Sequence, residues 1–359
     1  MKNLIRENVK IFFLSFVLIC FCVSLTAFSE QVKSSAITAA ERCLNVIIPS
    51  LFAFMVISQI IISSGVYVYI SKPFFLISKY LMAIPTDLFF VFLVSSIAGY
   101  PIGIKILSDM KKQNIISQRT ANVMSVFCFC GGPAFYSGAV GLAVFGNIRV
   151  GLLIFVSIII SNAVVACLFC RILKLKSEKR QNKVNFSAEL FTDAVTSTGK
   201  SLLVICLMII FCSSVICILE NLNLFVCIKK IFSLTENQVV LIKSCLELTY
   251  ISELKGQPFD LLPYITAVCS FGGVCILIQC AALNKGGVNL KVFLAARPLC
   301  AVLSGVMCNL LKKYFIPDTV EVVSINKSVL VNFNNFVPSI CLILMILLLN
   351  FKKSLVFSK

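Results

Sequence analysis

The chain has 359 residues, of which 59% are hydrophobic and only 13% are charged, with a mean hydropathy of +1.00. Soluble domains carry about 25% charged residues, so this composition excludes a soluble globular protein and leaves no soluble domain of useful size. The net charge of +17 comes from 32 Lys and Arg against 15 Asp and Glu; in a membrane protein it indicates basic cytoplasmic loops rather than nucleic-acid binding.

The first apolar segment covers residues 11–28 and follows three basic residues. It resembles a signal peptide but has no convincing cleavage site, so we predict an uncleaved first helix that enters from the cytoplasm. Segments of about 20 apolar residues are long enough to cross the bilayer as helices. The sequence predicts further clear spans at 44–64, 88–108, 148–173, 201–221, 261–283, 291–311 and 334–351, with weaker stretches at 66–84, 122–147, 222–234 and 238–252.

Two basic segments set the predicted orientation. RILKLKSEKRQNKVN, which begins at Arg171, and the C-terminal NFKKSLVFSK are rich in Lys and Arg. Cytoplasmic loops of membrane proteins carry this excess of positive charge. The sequence therefore predicts that both termini and the central loop are cytoplasmic.

A weak internal repeat divides the chain. AITAAERCLNVIIPS from Ala36 and FTDAVTSTGKSLLVICL from Phe191 each place one basic residue, Arg42 or Lys200, just before a long apolar helix. A second match sets Gly99 opposite Gly272. The first half begins outside and the second inside, which is the pattern of inverted-topology repeats in transporters. The alternative is that any two apolar helices with glycines look alike.

The predicted fold class is all-α: a polytopic transmembrane helical protein with two inverted-topology repeats and with helices broken by Gly and Pro or folded as re-entrant hairpins. The predicted divisions are an N-terminal transmembrane anchor at 1–34, a first repeat at 35–173, a basic cytoplasmic linker at 174–187, a second repeat at 188–315, and a C-terminal transmembrane helix with a basic tail at 316–359.

Clusters of Gly and Pro interrupt several apolar segments, as in SSIAGYPIGIKIL, CFCGGPAF, SFGGV and ELKGQPF. They free backbone groups that cannot face lipid and must face protein or a polar cavity. Paired breaks in two halves indicate a substrate site near the midplane, and half-helix N-termini there favour an anion. The candidate substrate-binding residues are Ser96, Gly99, Tyr100, Pro101, Gly103, Lys105, Gly131, Gly132, Pro133, Glu247, Thr249, Gly272, Gly273 and Gln279.

Three of the polar candidates have equally good structural interpretations. Lys105 would reach the cytoplasmic interface, because Lys side chains near helix ends extend towards it. Glu247 would pair with Lys243 four residues earlier, and Gln279 would make an interhelical hydrogen bond. The alternatives stay open at this level.

No enzyme signature is present: the chain has no His, and no two carboxylates pair convincingly. Most of the 18 Cys lie inside apolar segments, where Cys acts as a small hydrophobic residue. We therefore predict no enzymatic activity, no cofactor and no metal site.

The segments IPSLFAFMVIS, SSIAGYPIGIKIL, FCFCGGPAFYSGAVGLAVFG, LELT and SFGGVCILIQ have a familiar order and spacing. The chain resembles the YlbJ-type sporulation integral membrane proteins, which carry the nucleoside-recognition (Gate) domain, over roughly residues 40–315. It departs from that pattern at Cys130–Gly131, where the family usually has Asn, and it lacks the His that the family often has around the second glycine element.

The resemblance implies a sporulation-associated transporter of a small organic anion, with dipicolinic acid moving from mother cell towards forespore as the first candidate. It implies a spore-forming bacterium, a location in the cell membrane or outer forespore membrane, and a bilayer, a small anion and sporulation membrane proteins or further copies of the chain as partners. The alternatives are a nucleoside-type transporter and a non-transporting scaffold in spore assembly. A cavity lined by both halves would favour transport, and a dry interface would favour the scaffold.

Overall fold

The computed structural model describes residues 2–175, 184, 186–254, 256 and 259–315. All regular structure in these residues is helical, which confirms the all-α class. The longer helices are α1 Lys2–Ala27, α2 Ser29–Ser63, α3 Phe89–Ala98, α4 Ile102–Lys112, α5 Gln118–Phe127, α6 Ile148–Ile172, α7 Ala188–Asn221, α8 Glu236–Leu246, α9 Leu262–Phe271, α10 Gly273–Leu283 and α11 Leu290–Phe315.

Shorter helical segments connect them: Tyr67–Ser71, Lys72–Phe74, Ile77–Met82, Thr86–Leu88, Phe135–Leu142, Ala143–Phe145, Leu224–Ile231, Leu248–Glu253 and Phe259–Leu261. The C-terminal span predicted at 334–351, most of the basic linker and Pro258 lie outside the described residues.

Five helical segments of the described chain are long and apolar enough to cross a membrane: α2, α6, α7, α11, and the segment Phe259–Leu283 that contains α9 and α10. Their outer faces expose large apolar side chains such as Leu168, Phe211 and Val302. Contiguous apolar surface of this kind is incompatible with water, so these faces contact lipid. The fold is that of a polytopic membrane protein, as predicted.

Three predicted spans differ in their extent. The span at 88–108 is two half-helices, because the backbone of Gly99 is left-handed (φ +84°) and ends α3. The helix predicted at 44–64 begins at Ser29 and crosses residue 35, where the sequence placed the start of the first repeat. The helix predicted at 201–221 begins at Ala188, since the side chain of Ser187 accepts a hydrogen bond from the Leu190 amide and caps it.

Helix starts elsewhere follow the same local chemistry. Ser117 caps α5, Asn147 caps α6, and Thr235 forms a reciprocal capping box with Gln238 at the start of α8. These polar residues therefore fix where the chain turns between spans.

Two long-helix pairs frame the molecule. α2 packs along α7, and α6 packs along α11. The half-helices lie between the pairs: α4 contacts α5 and α10, α9 contacts α11, and Phe135–Leu142 contacts α6. The interrupted segments thus pack against the long helices, which provide protein contacts for backbone groups freed inside a bilayer.

The order of elements is the same in both halves. A long helix (α2 or α7) is followed by short helices, two interrupted segments and a final long helix (α6 or α11). In this order the break at Gly99 corresponds to the one at Glu247, and the break at Gly131–Pro133 corresponds to Gly272. The sequence match of Gly99 with Gly272 and this order of elements pair the breaks differently, and the repeat itself stays a prediction.

Candidate functional site

The interrupted segments meet one another. A Cβ atom on Gly99 would lie 2.8 Å from the backbone nitrogen of Gly132, so the two breaks of the first half are in backbone contact. A Cβ atom on Gly272 would lie 2.7 Å from the ring of Phe129. Gly272 also has a left-handed backbone (φ +91°), so glycine is favoured there on both counts. The breaks of the two halves therefore converge.

Tyrosine hydroxyls satisfy part of the freed backbone. The hydroxyl of Tyr100 donates to the carbonyl of Cys269 and lies 2.7 Å from the hydroxyl of Tyr136, which accepts the amide N–H of Gly131 at 2.9 Å. Asn162 of α6 donates its side-chain amide to the carbonyl of Phe129 at 3.0 Å. Buried backbone groups need such partners; the three side chains belong to the first half, and one of the groups they satisfy, the Cys269 carbonyl, belongs to the second.

A cavity of about 440 Å³ lies beside these breaks. Its walls come from α2, the end of α3, the segment around Gly132, α7, the break at Glu247 and α10. Most of the lining is apolar, and the polar side chains are Ser50, Tyr100, Glu247, Thr249 and Gln279. A small-molecule site commonly has this character, with apolar walls and a few polar groups in about 300–1,000 Å³.

The cavity lies near the middle of the two longest helices. Ile47 and Leu51 of α2 face it from one half, and Ile205 and Ile209 of α7 face it from the other. Three pairs of residues, one from each half, have the same separation in sequence: Arg42 and Lys200, Ile47 and Ile205, and Leu51 and Ile209. Equivalent positions of the matched helices thus line one cavity.

The structure divides the fourteen candidate residues into two groups. Gly99, Tyr100, Gly132, Pro133, Glu247, Thr249 and Gln279 line the cavity. The others do not: Ser96 bonds the Phe92 carbonyl, Gly103 packs on the backbone of Cys128, and Gly131 bonds Tyr136. Pro101 precedes α4, Gly272 packs on Phe129, and Gly273 packs on carbonyl groups at the end of α8.

Lys105 also lies away from the cavity. Its ammonium donates to the Asp109 carboxylate at 2.9 Å and to the side-chain oxygen of Gln59 at 3.0 Å. The residue is only 4% exposed, so it does not extend to the membrane interface as one interpretation required. The second interpretation, in which Lys105 binds the substrate, is not supported either, because the ammonium of Lys105 is already paired with Asp109 on the same helix.

A polar cluster forms one edge of the cavity. Glu247 is buried, and one of its carboxylate oxygens accepts the amide N–H of Thr249 at 3.2 Å. The other oxygen has no hydrogen-bond partner among the described residues. Arg42 donates to the hydroxyl of Thr249 at 2.6 Å. The predicted pairing of Glu247 with Lys243 is not formed, because Lys243 binds Glu220 instead.

The sequence interpretation missed Arg297, which is 0% exposed in the middle of α11. Its signal was visible: an ionisable residue within an apolar span, in FLAARPLCAV, indicates function by default. It also missed the apolar walls of α2 and α7, and no local pattern distinguishes those side chains from others that face lipid.

Together, the helices and the cavity at their breaks define a polytopic membrane protein with a cavity of small-molecule size that is partly open to the protein surface. Comparison with known proteins shows similarity to the sporulation integral membrane protein YlbJ of Bacillus subtilis (strain 168), with 25% identity over 308 residues, covering 75% of this chain and 74% of the relative. This confirms the predicted resemblance and supports an integral membrane protein with a role in sporulation. No family model and no solved structure matches the chain.

Proposed function

We propose that the chain is a sporulation-associated transporter of a small organic anion, with dipicolinate moving from the mother cell towards the forespore. The observation that carries the proposal is the cavity at the meeting point of the breaks, because both halves of the chain line it. Binding near the midplane, between related halves with discontinuous helices, is typical of secondary transporters. A scaffold protein would need close helix packing here and no chamber.

Two features favour an anion. The helical turn that begins at Pro133 presents its N-terminus to the cavity, and helix N-termini attract negative charge. Arg42 does not line the cavity itself, but it donates a hydrogen bond to Thr249, which does. The buried carboxylate of Glu247 opposes an anion unless it is neutralised, for example by a proton that moves with the substrate.

The proposal includes an inverted repeat and its orientation. The matching order of elements and the matched cavity residues support two related halves. The basic central loop and the basic C-terminal segment support cytoplasmic termini. In the proposed role, that side is the mother-cell cytosol and the membrane is the outer forespore membrane.

One observation favours a nucleoside-type transporter as the second candidate. None of the described residues that line the cavity is Lys or Arg, whereas Glu247, Thr249 and Gln279 offer hydrogen bonds to a neutral polar solute. Competition between dipicolinate and nucleosides for uptake would distinguish the two substrates.

The cavity can be filled without disturbing its walls. Gly138 lines it, and a Cβ atom there would meet nothing within 4 Å. We expect Gly138→Leu to lower the dipicolinate content of spores at least fivefold in a deletion strain complemented with the variant, because the leucine side chain occupies the substrate space. Gly138→Ala, which adds one methyl group, is the matched control and should restore near-normal dipicolinate.

Normal membrane levels of both variants are required for this comparison. If Gly138→Leu restored dipicolinate as well as the wild type, the cavity would not be the transport path. If the wild-type chain restored none while the host's own protein did, dipicolinate would be the wrong substrate, and nucleoside uptake would be measured next.

A further inference from the structure

Arg297 is the charged residue that the proposed site leaves unexplained. Its guanidinium is fully buried and packs over two adjoining aromatic rings, 4.7 Å from the centroid of Phe129 and 4.9 Å from that of Phe293. One nitrogen, Nη2, donates to the carbonyl of Val126 and to the sulfur of Cys300. Other ionisable groups near it are the thiols of Cys128, Cys130 and Cys280 and the hydroxyl of Tyr100.

Two of its donors are unused. Nε and Nη1 have no hydrogen-bond partner within the part of the chain that the structure describes, and no carboxylate there forms an ion pair with the guanidinium. An arginine side chain stays protonated and carries five N–H donors. A buried charge without a counter-charge is costly, and contact with aromatic faces offsets only part of that cost, about 2 kcal/mol. If Arg297 served only to bind the Val126 carbonyl, an uncharged donor would be enough, so this hydrogen bond does not explain the charge.

Two aromatic side chains in contact, Phe129 and Tyr100, connect Arg297 to the cavity. The ring of Phe129 covers the guanidinium on one side and lies 4.7 Å from the ring of Tyr100, which lines the cavity. Phe129 belongs to the non-helical stretch between α5 and the helical turn at Pro133. The missing side chain of Gly272 provides the space in which the Phe129 ring now lies. The ring is therefore at the point where the breaks of both halves meet.

We infer that Arg297 is a carboxylate-binding residue of the transport path, reached from the cavity when the Phe129 ring moves aside. The inference rests on the proposed transport of an organic anion and names its recognition group. Guanidinium donors suit carboxylates, and the rings of Tyr100, Phe129 and Phe293 offer flat surfaces to a planar aromatic ligand. The substrate class is an aromatic carboxylate whose negative charge supplies the missing counter-ion.

Binding to the purified full-length protein tests this inference. Equilibrium dialysis would compare dipicolinate, which has two carboxylates, with pyridine-2-carboxylate, which has one. We expect Arg297→Gln to weaken dipicolinate binding about 10- to 100-fold, the loss expected for charge-assisted hydrogen bonds, and to reduce the preference for two carboxylates. Arg297→Lys, which keeps the charge, should retain an intermediate affinity.

Arg171→Gln is the matched control, because Arg171 is exposed at the end of α6 and donates to the Tyr80 carbonyl at 3.0 Å, away from the cavity. It should bind dipicolinate like the wild type. Unfolding temperatures measured without ligand would identify variants that fail to fold.

The outcomes separate the two proposals. If the wild type binds dipicolinate and a folded Arg297→Gln binds it within twofold as well, the role of Arg297 is refuted and the transport proposal stands. A loss of folding in both Arg297 variants would also refute it, since the arginine would then be structural. If the wild type binds no dipicolinate, the proposed substrate and the inference drawn from it both fail.

Discussion

Among the residues that the structure describes, two basic side chains are buried, and their surroundings differ. Lys105 on α4 is 4% exposed and contacts the Asp109 carboxylate and Gln59. Arg297 on α11 is 0% exposed and contacts one carbonyl, one sulfur and two rings. The first charge is neutralised within the protein, and the second has no counter-charge among the described residues.

The difference separates structural charges from functional ones. Burial alone would rank both residues as candidate ligands, since ionisable groups in a membrane protein indicate function. The presence or absence of a counter-charge distinguishes the two residues. A charge that is already paired has little to offer a substrate, whereas an unpaired charge gains free energy when an anion arrives.

The largest expected effect is the loss of the Lys105 ammonium. Lys105→Met leaves the Asp109 carboxylate, which is only 13% exposed, without its counter-charge. We expect the free energy of unfolding to fall by about 3 kcal/mol, seen as a lower unfolding temperature in detergent. The double variant Lys105→Met/Asp109→Leu should recover most of the loss, and an equally unstable double variant would contradict the pairing argument.

Arg297→Met should destabilise the protein less than Lys105→Met. It removes one hydrogen bond to Val126 and the contact with two rings, but it leaves no carboxylate unpaired among the described residues. The expected loss is about 1–2 kcal/mol in the same unfolding measurement. A loss larger than that of Lys105→Met would reverse the comparison and make Arg297 the structural residue.

The smallest effect concerns Gln59, the second acceptor of Lys105. Gln59→Leu removes that hydrogen bond while Asp109 keeps the charge paired, so we expect a loss of about 1 kcal/mol. Ser63→Ala is the control, because Ser63 bonds the other end of the Gln59 amide. If Gln59→Leu and Ser63→Ala lowered the free energy of unfolding equally, the hydrogen bond from Lys105 to Gln59 would make no separate contribution to stability.

Local chemistry made part of this structure predictable. The helices end near the glycine and proline clusters named in the sequence, with α3 ending before Gly99 and α9 before Gly272. Conformation there depends on the residue itself. Asp109 lies four residues after Lys105, a spacing that places both on one helix face, so this pair could have been found from the sequence.

Long-range arrangement was not predictable in the same way. Nothing local shows that Gly99 contacts Gly132, or that Phe129 lies against Gly272 and Arg297. The early starts of α2 and α7 also depend on packing between those two helices, because their first turns are too polar to resemble spans. Half of the candidate site residues lie away from the cavity, and two of them, Gly103 and Gly273, instead allow close contact with neighbouring backbone.

The type of helix in the cavity walls differs between the two halves of the chain. Two of its wall segments, Cys43–Ile47 and Phe135–Leu142, are π-helical, and both belong to the first half. The corresponding walls in α7 and α10 are α-helical. Turns of π-helix are rare and frequently occur at functional sites. The first half therefore lines the cavity with a helical winding that α7 and α10 of the second half do not share.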